Sequence, residues 1–207
     1  MCKSFPDDQI LKNSGSKLKG TEIRRKVLHL IALAIPFGIL YLPRPAAVSL
    51  LVPLAAAMLA GELLRRKYPF LQNLFLKIFG MFIRSREKEE ITGGTYFFIA
   101  GAICLLIFDR PIAFTVMAFI ILGDAAAALA GMKFGRLRTP WGKSVEGALA
   151  SLLACISFWA LFPEIDFAPA FAGAMITGVL EFLPLKINDN LFVPVVCGLV
   201  LQTWAGW

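Results

Sequence analysis

The chain has 207 residues, of which 58% are hydrophobic and 17% charged. That apolar share exceeds the usual share of a soluble domain and suits one compact membrane bundle. A net charge of +7 does not indicate nucleic acid as a partner here, because the cations sit in the connections between apolar runs.

Residues 1–20 are polar and lack an apolar h-region, so no cleavable secretory signal is expected. They read as a flexible basic N-terminal arm. Residues 21–207 read as a single polytopic membrane domain. A first helix opens near Thr21, covers roughly 24–41 and ends at the Pro43/Pro45 turn. A second covers about 46–64, closing at Glu62 and the Arg65-Arg66-Lys67 cluster. Residues 70–83 are too short to span comfortably, but Phe70, Leu71, Leu74, Phe75, Ile78 and Phe82 recur at helical spacing. An interfacial helix, apolar side down, is expected there. Glu62, Glu89 and Glu90 read as solvated surface charges, as does the charged run 84–90.

Further spans are expected at about 95–108, 112–131, 147–162, 168–181 and 191–206. The fold class is therefore all-α integral membrane, with about seven transmembrane helices plus the interfacial one. Cys2, Cys104, Cys155 and Cys197 show no metal or redox spacing, and three lie in apolar runs. They read as small buried hydrophobes. With one histidine, structural zinc is not expected.

Alternating connections sort 19 of the 21 lysines and arginines to one side, leaving only Arg44 and Arg110 on the other. Positive-inside bias then puts the N-terminus in the cytosol and the C-terminus outside. The expected location is multi-pass integral membrane, the plasma membrane in a prokaryote, with the active site on the cytosolic side.

The candidate chemistry falls on that side. Asp124 is a lone carboxylate in a membrane-length apolar run, and such residues usually face a cavity or a partner. It lies about 20 Å along its helix from Pro111. Gly123, Ala127, Ala128 and Gly131 share or flank its face and allow a helix or ligand to approach closely. The loop that follows carries Lys133, Arg136, Arg138 and Lys143, ending in Gly142-Lys143-Ser144 before a helix start. Free amides and a lysine there favour phosphate. The spacing is not that of a Walker A loop, since Gly135 and Gly142 enclose six residues rather than four. Glu146 opens the next helix. Asn188-Asp189-Asn190 opens the last one, in the manner of an N-cap. Phe97, Phe98 and Trp141 read as packing or interface residues. Carboxylates (Asp124, Glu146, Asp189) beside cations (Arg25, Lys26, Arg136, Lys143) suit Mg²⁺ and a phosphorylated substrate. Phosphoryl transfer needs mainly positioning and charge neutralisation.

These residues resemble the CTP-dependent lipid kinases: dolichol kinase, phytol kinase and the fungal-type diacylglycerol kinase. The resemblance runs from about Arg24 to Leu201. It rests on Arg25-Lys26 with His29, and on Gly123-Asp124-Ala125-Ala126-Ala127 followed by Gly131 and Phe134-Gly135. It continues with Lys143-Ser144-Val145-Glu146-Gly147, then Glu181, Asp189-Asn190 and Pro194. The middle block is also similar to phosphatidate cytidylyltransferases. Their C-terminal Pro-Gly-His-Gly-Gly-x-x-Asp-Arg-x-Asp signature is absent, and the corresponding region reads EFLPLKINDN. Kinase is thus favoured, with synthesis of CDP-diacylglycerol as the alternative.

The resemblance implies CTP as phosphate donor, Mg²⁺, a lipid alcohol substrate and contact with membrane lipids. Asp124, Glu146 and Asp189 would be catalytic, with Asp124 and Asp189 on the metal. Arg25, Lys26, Gly131, Arg136, Lys143, Ser144 and Asn190 would bind the nucleotide. A homo-oligomer is compatible with the sequence, and the alcohol is left open among a polyprenol such as dolichol, a phytol-like isoprenoid and diacylglycerol.

Overall fold

The computed structural model describes residues 26–27, 29–83, 86–184 and 187–204. Arg25, Cys2, the 1–20 arm and Lys186 lie outside the described residues. Eight α-helices and one short 3₁₀ turn make up the regular structure of the described residues. They are α1 (Ala34–Tyr41), α2 (Arg44–Lys67), α3 (Pro69–Phe79), α4 (Gly93–Ile107), α5 (Arg110–Phe134), α6 (Val145–Leu161), α7 (Phe167–Phe182) and α8 (Asp189–Trp204). Residues 26–27 and 29–31 are also helical and lead through a turn into α1.

The punctuation follows from backbone chemistry. Prolines occupy the first turns of α2, α3 and α5, where a missing amide hydrogen leaves nothing unpaired. Ser144 caps α6 by accepting from Gly147 N at 3.1 Å. Asn188 Oδ1 accepts from Asn190 N at 3.1 Å at the start of α8.

Helix α5 is the central element. Every residue from Ile112 to Ile121 is buried, so its first half is apolar on all sides, as a helix surrounded by others must be. It packs against α1, α6, α7 and α8, while α2 and α8 pack against α4. Phe114 and Phe119 sit fully buried on this helix, and Cys104, Cys155 and Cys197 are buried too. Among the described residues, two helices are long and apolar enough to cross a membrane, α2 and α5. Outward-facing Leu50, Leu153, Leu161 and Val179 stay exposed on the outer helices. An apolar exterior of this kind is consistent with an all-α membrane protein.

The short helix α3 buries none of its residues. It exposes Phe70, Leu74, Ile78 and Phe79. One expectation is overturned nearby. Glu62 is not a solvated surface charge: it is 4% exposed and paired with Arg65, which is 3% exposed. The reason is that the chain returns from residues 87–95 to cover both groups with hydrogen-bond partners.

Candidate functional site

Beginning at Arg110, α5 carries Asp124 about 21 Å along its axis. Arg110 donates to the carbonyls of Ile39, Leu40 and Leu42, and Arg44 to those of Leu105 and Leu106. These two cations thus close helix ends away from Asp124. At the Asp124 end, the loops and helix termini surround a cavity of about 530 Å³.

Two ion-paired groups dominate the cavity. Lys26 Nζ pairs with Asp124 Oδ1, and His29 Nε2 lies 3.7 Å from Asp124 Oδ2. Lys26 is buried while Asp124 keeps 23% of its side chain exposed, so the carboxylate faces the open space. Lys143 Nζ lies 3.3 Å from Asp189 Oδ2 and 3.6 Å from Glu181 Oε2. Glu181 is buried, and its Oε1 has no hydrogen-bond partner among the described residues.

Loop geometry places Lys143. Residues 135–144 fold back on themselves: Thr139 N donates to Lys143 O at 2.8 Å, and Lys143 N to Thr139 Oγ1 at 3.1 Å. Gly142 turns the loop at φ +87°, the left-handed region that disfavours side chains. Glu146 Oε1 accepts from the backbone amides of Arg136 and Leu137 at 2.9 and 3.1 Å. Glu146 precedes the apolar stretch of α6. Its own backbone amide, then those of Arg136 and Leu137, hold its carboxyl below the usual range.

Small residues bring the helices close. A Cβ on Gly123 would stand 2.6 Å from Ser151 Oγ, and one on Gly131 would stand 3.0 Å from Ser144 Oγ. Ala127 and Ala128 instead face the cavity. Of the residues expected from sequence, Lys26, Asp124, Gly131, Lys143, Ser144, Asp189 and Asn190 all line this one space. Arg136 and Glu146 do not line it; they meet each other in the supporting loop. Arg138 lines it in place of Arg136, held by bonds to the carbonyls of Gly131 and Gly142 at 2.6 and 3.1 Å.

Besides Arg138, the lining groups outside the sequence-derived set of site residues include Glu181, Glu87, Glu90 and Tyr96. Glu181 carried a signal, as a carboxylate ending an apolar run. Glu87 and Tyr96 carried none, because they flank the site only through the fold of the segment after α3. The described residues contain no cluster of three or more His, Cys, Asp or Glu side chains poised to hold a metal on their own. Asp124 and Asp189 do open onto one space, which fits a Mg²⁺ bound by one or two carboxylates together with substrate phosphates.

No protein-family model matches the chain, and no solved structure matches it. Curated proteins do. An uncharacterized protein of Methanocaldococcus jannaschii is 28% identical over 188 residues, covering 87% of this chain and 93% of its own length. The CTP-dependent diacylglycerol kinase 1 of Schizosaccharomyces pombe is 26% identical over 164 residues, covering 68% of this chain and 73% of its own. A probable chloroplastic phytol kinase of Triticum aestivum is 24% identical over 215 residues, covering 89% and 68%. The diacylglycerol kinase and phytol kinase homologues, at 24–26% identity, support membership of the chain in the CTP-dependent lipid kinase family.

Proposed function

We propose that the protein is a membrane-embedded kinase that moves the γ-phosphate of CTP to a lipid alcohol. One observation carries the reading: Lys26–Asp124 and Lys143–Glu181/Asp189 face a single cavity at one end of an apolar bundle. The names of the relatives, CTP-dependent diacylglycerol kinase and phytol kinase, supply the donor and the acceptor class.

Lys26, Lys143 and Arg138 take the triphosphate charge, with Arg136 at its periphery. Gly131 and Ser144 leave room for it at the start of α6, and Asn190 closes the opposite side. Asp124 and Asp189 would hold Mg²⁺, which when bound would neutralise phosphate oxygens. Glu146 orders the loop that presents Lys143. The alcohol oxygen attacks the γ-phosphorus, the hydroxyl proton leaves to a cavity carboxylate, and the bond to the β-phosphate oxygen breaks to release CDP. Positioning and charge neutralisation are the main requirements.

In this reading seven helices span the bilayer, α3 lies in its interface, and the cavity opens to the cytosol. An apolar exterior lets the alcohol arrive from the lipid while the nucleotide arrives from water. The released nucleotide tests the assignment. CDP with a phospholipid product supports it; pyrophosphate with a CDP-lipid would make the protein a cytidylyltransferase.

A further inference from the structure

Glu62 and Arg65 are both more than nine-tenths buried, yet neither lines the cavity. A buried ion pair is weak evidence for stability by itself, because desolvation offsets the attraction. The direction of its remaining bonds is more informative. Arg65 donates to the carbonyls of Glu87, Lys88 and Glu90 at 3.0, 3.1 and 2.7 Å. It also donates to Gln72 Oε1 at 2.8 Å, and Gln72 returns a bond to the same Lys88 carbonyl at 2.6 Å. Glu62 Oε1 accepts from Thr92 N and Oγ1 at 3.2 and 2.6 Å, and from Thr95 Oγ1 at 3.2 Å. Apart from their own pairing and two contacts to α3, with Gln72 and with the Phe75 ring 4.3 Å from the Arg65 guanidinium carbon, the two side chains act on one segment, residues 87–95.

That segment lines the cavity through Glu87, Glu90, Ile91 and Gly93, with Tyr96 just beyond it. Gly93 is fixed at both ends of its peptide units. Its N donates to Glu87 Oε1 at 2.8 Å, and its O accepts from Asn190 Nδ2 at 3.0 Å. Both charges line the cavity: Lys26, Arg138 and Lys143 offer cations that favour phosphate oxygens, while the 87–93 segment contributes Glu87 and Glu90, which disfavour phosphate and accept from hydroxyls and amines.

We propose that the Glu62–Arg65 pair is a positioning device that sets the 87–93 wall to receive the nucleoside end of the nucleotide. This rests on the kinase reading above. The pair touches neither substrate nor reacting atoms; it acts through the carbonyls and Thr92 that it holds. Its loss therefore weakens nucleotide recognition and leaves the lipid side and the chemical step in place.

The test uses the full chain in detergent, with Arg65→Lys and Glu62→Gln. Lysine keeps the charge but loses the fork that reaches three carbonyls. Glutamine keeps an acceptor for Thr92 but loses the ion pair. CTP Kd and KM should rise on the order of tenfold, with kcat and the lipid-alcohol KM nearly unchanged. Spin labels on exposed Glu89 and Ile187 should give a narrow distance distribution in the parent and a broad one in the variants.

Should either buried variant fail to fold, Gln72→Ala removes two bonds at a more accessible position and should give a smaller shift in the same direction. A narrow distribution with unchanged CTP affinity would overturn the proposal. So would a fall in kcat, or a matching rise in the lipid KM, without a change in CTP affinity. If the parent transfers no phosphate, the kinase reading fails instead, and CTP binding and label distances alone judge the pair.

Discussion

The ammonium of Lys143 stands 3.3 Å from the Asp189 carboxylate, joining a loop before α6 to the first turn of α8 across 46 positions of sequence. Together with Glu181 at 3.6 Å, this contact ties three separate elements to one face of the cavity. Removing the lysine should leave two carboxylates without their shared cation and one cation fewer for the transferring phosphate. Lys143→Ala is expected to lower kcat by about 10²–10³, the usual scale for losing one group that stabilises transition-state charge. The rate of label transfer to lipid, in protein that still elutes as a folded species, checks this.

Asp124→Asn keeps the shape of the side chain but removes its charge. Transfer should fall by at least about 10²-fold, with the protein still folded and inserted. Turnover at the parent rate would remove Asp124 from the site.

Gly142 has room for a side chain, since a Cβ there would meet nothing within 4 Å, but its φ of +87° is left-handed. Gly142→Ala should therefore destabilise through backbone strain alone, by about 1–2 kcal/mol. Gly142→Asn should cost less, because asparagine tolerates that region. Thermal unfolding of the two variants gives the comparison.

Packing around Asp124 can be tested separately from chemistry. Gly123→Ala would put a methyl 2.6 Å from Ser151 Oγ, and overpacking of this kind costs about 1–3 kcal/mol. Adding Ser151→Ala should recover part of that loss. A double-mutant cycle measures the coupling.

Glu146 gives a pH dependence with a defined sign. Its folded-state pKa is lowered by its own backbone amide and those of Arg136 and Leu137. A group lowered on folding contributes stability above its unfolded pKa and loses it as pH falls through the folded value. The 135–144 loop should therefore loosen only on acidification, from the ordinary glutamate range downward. Glu146→Gln should remove that component, and hydrogen exchange of the Arg136 and Leu137 amides against pH reads it directly.

Much of this was legible from residues alone because proline and helical periodicity mark each element. Pro45, Pro69 and Pro111 sit in first turns, and Asp124 stood out as a carboxylate in an apolar run. The choice between Arg136 and Arg138 was not legible. It depends on two carbonyls, of Gly131 and Gly142, that hold Arg138 toward the cavity. Glu62 and Arg65 were misleading for a similar reason. A charged helix end usually faces water, and the segment that buries this one arrives only after α3.

The most direct test of the central claim follows the position of a label. Purified protein is incubated with Mg²⁺, with isoprenoid alcohols, diacylglycerol and phosphatidic acid, and with CTP labelled at either the γ or the α phosphorus. The account predicts label in a lipid from the γ position only, with CDP released, and the labelled lipid names the alcohol. Label reaching lipid from the α position only, or from neither, would contradict it.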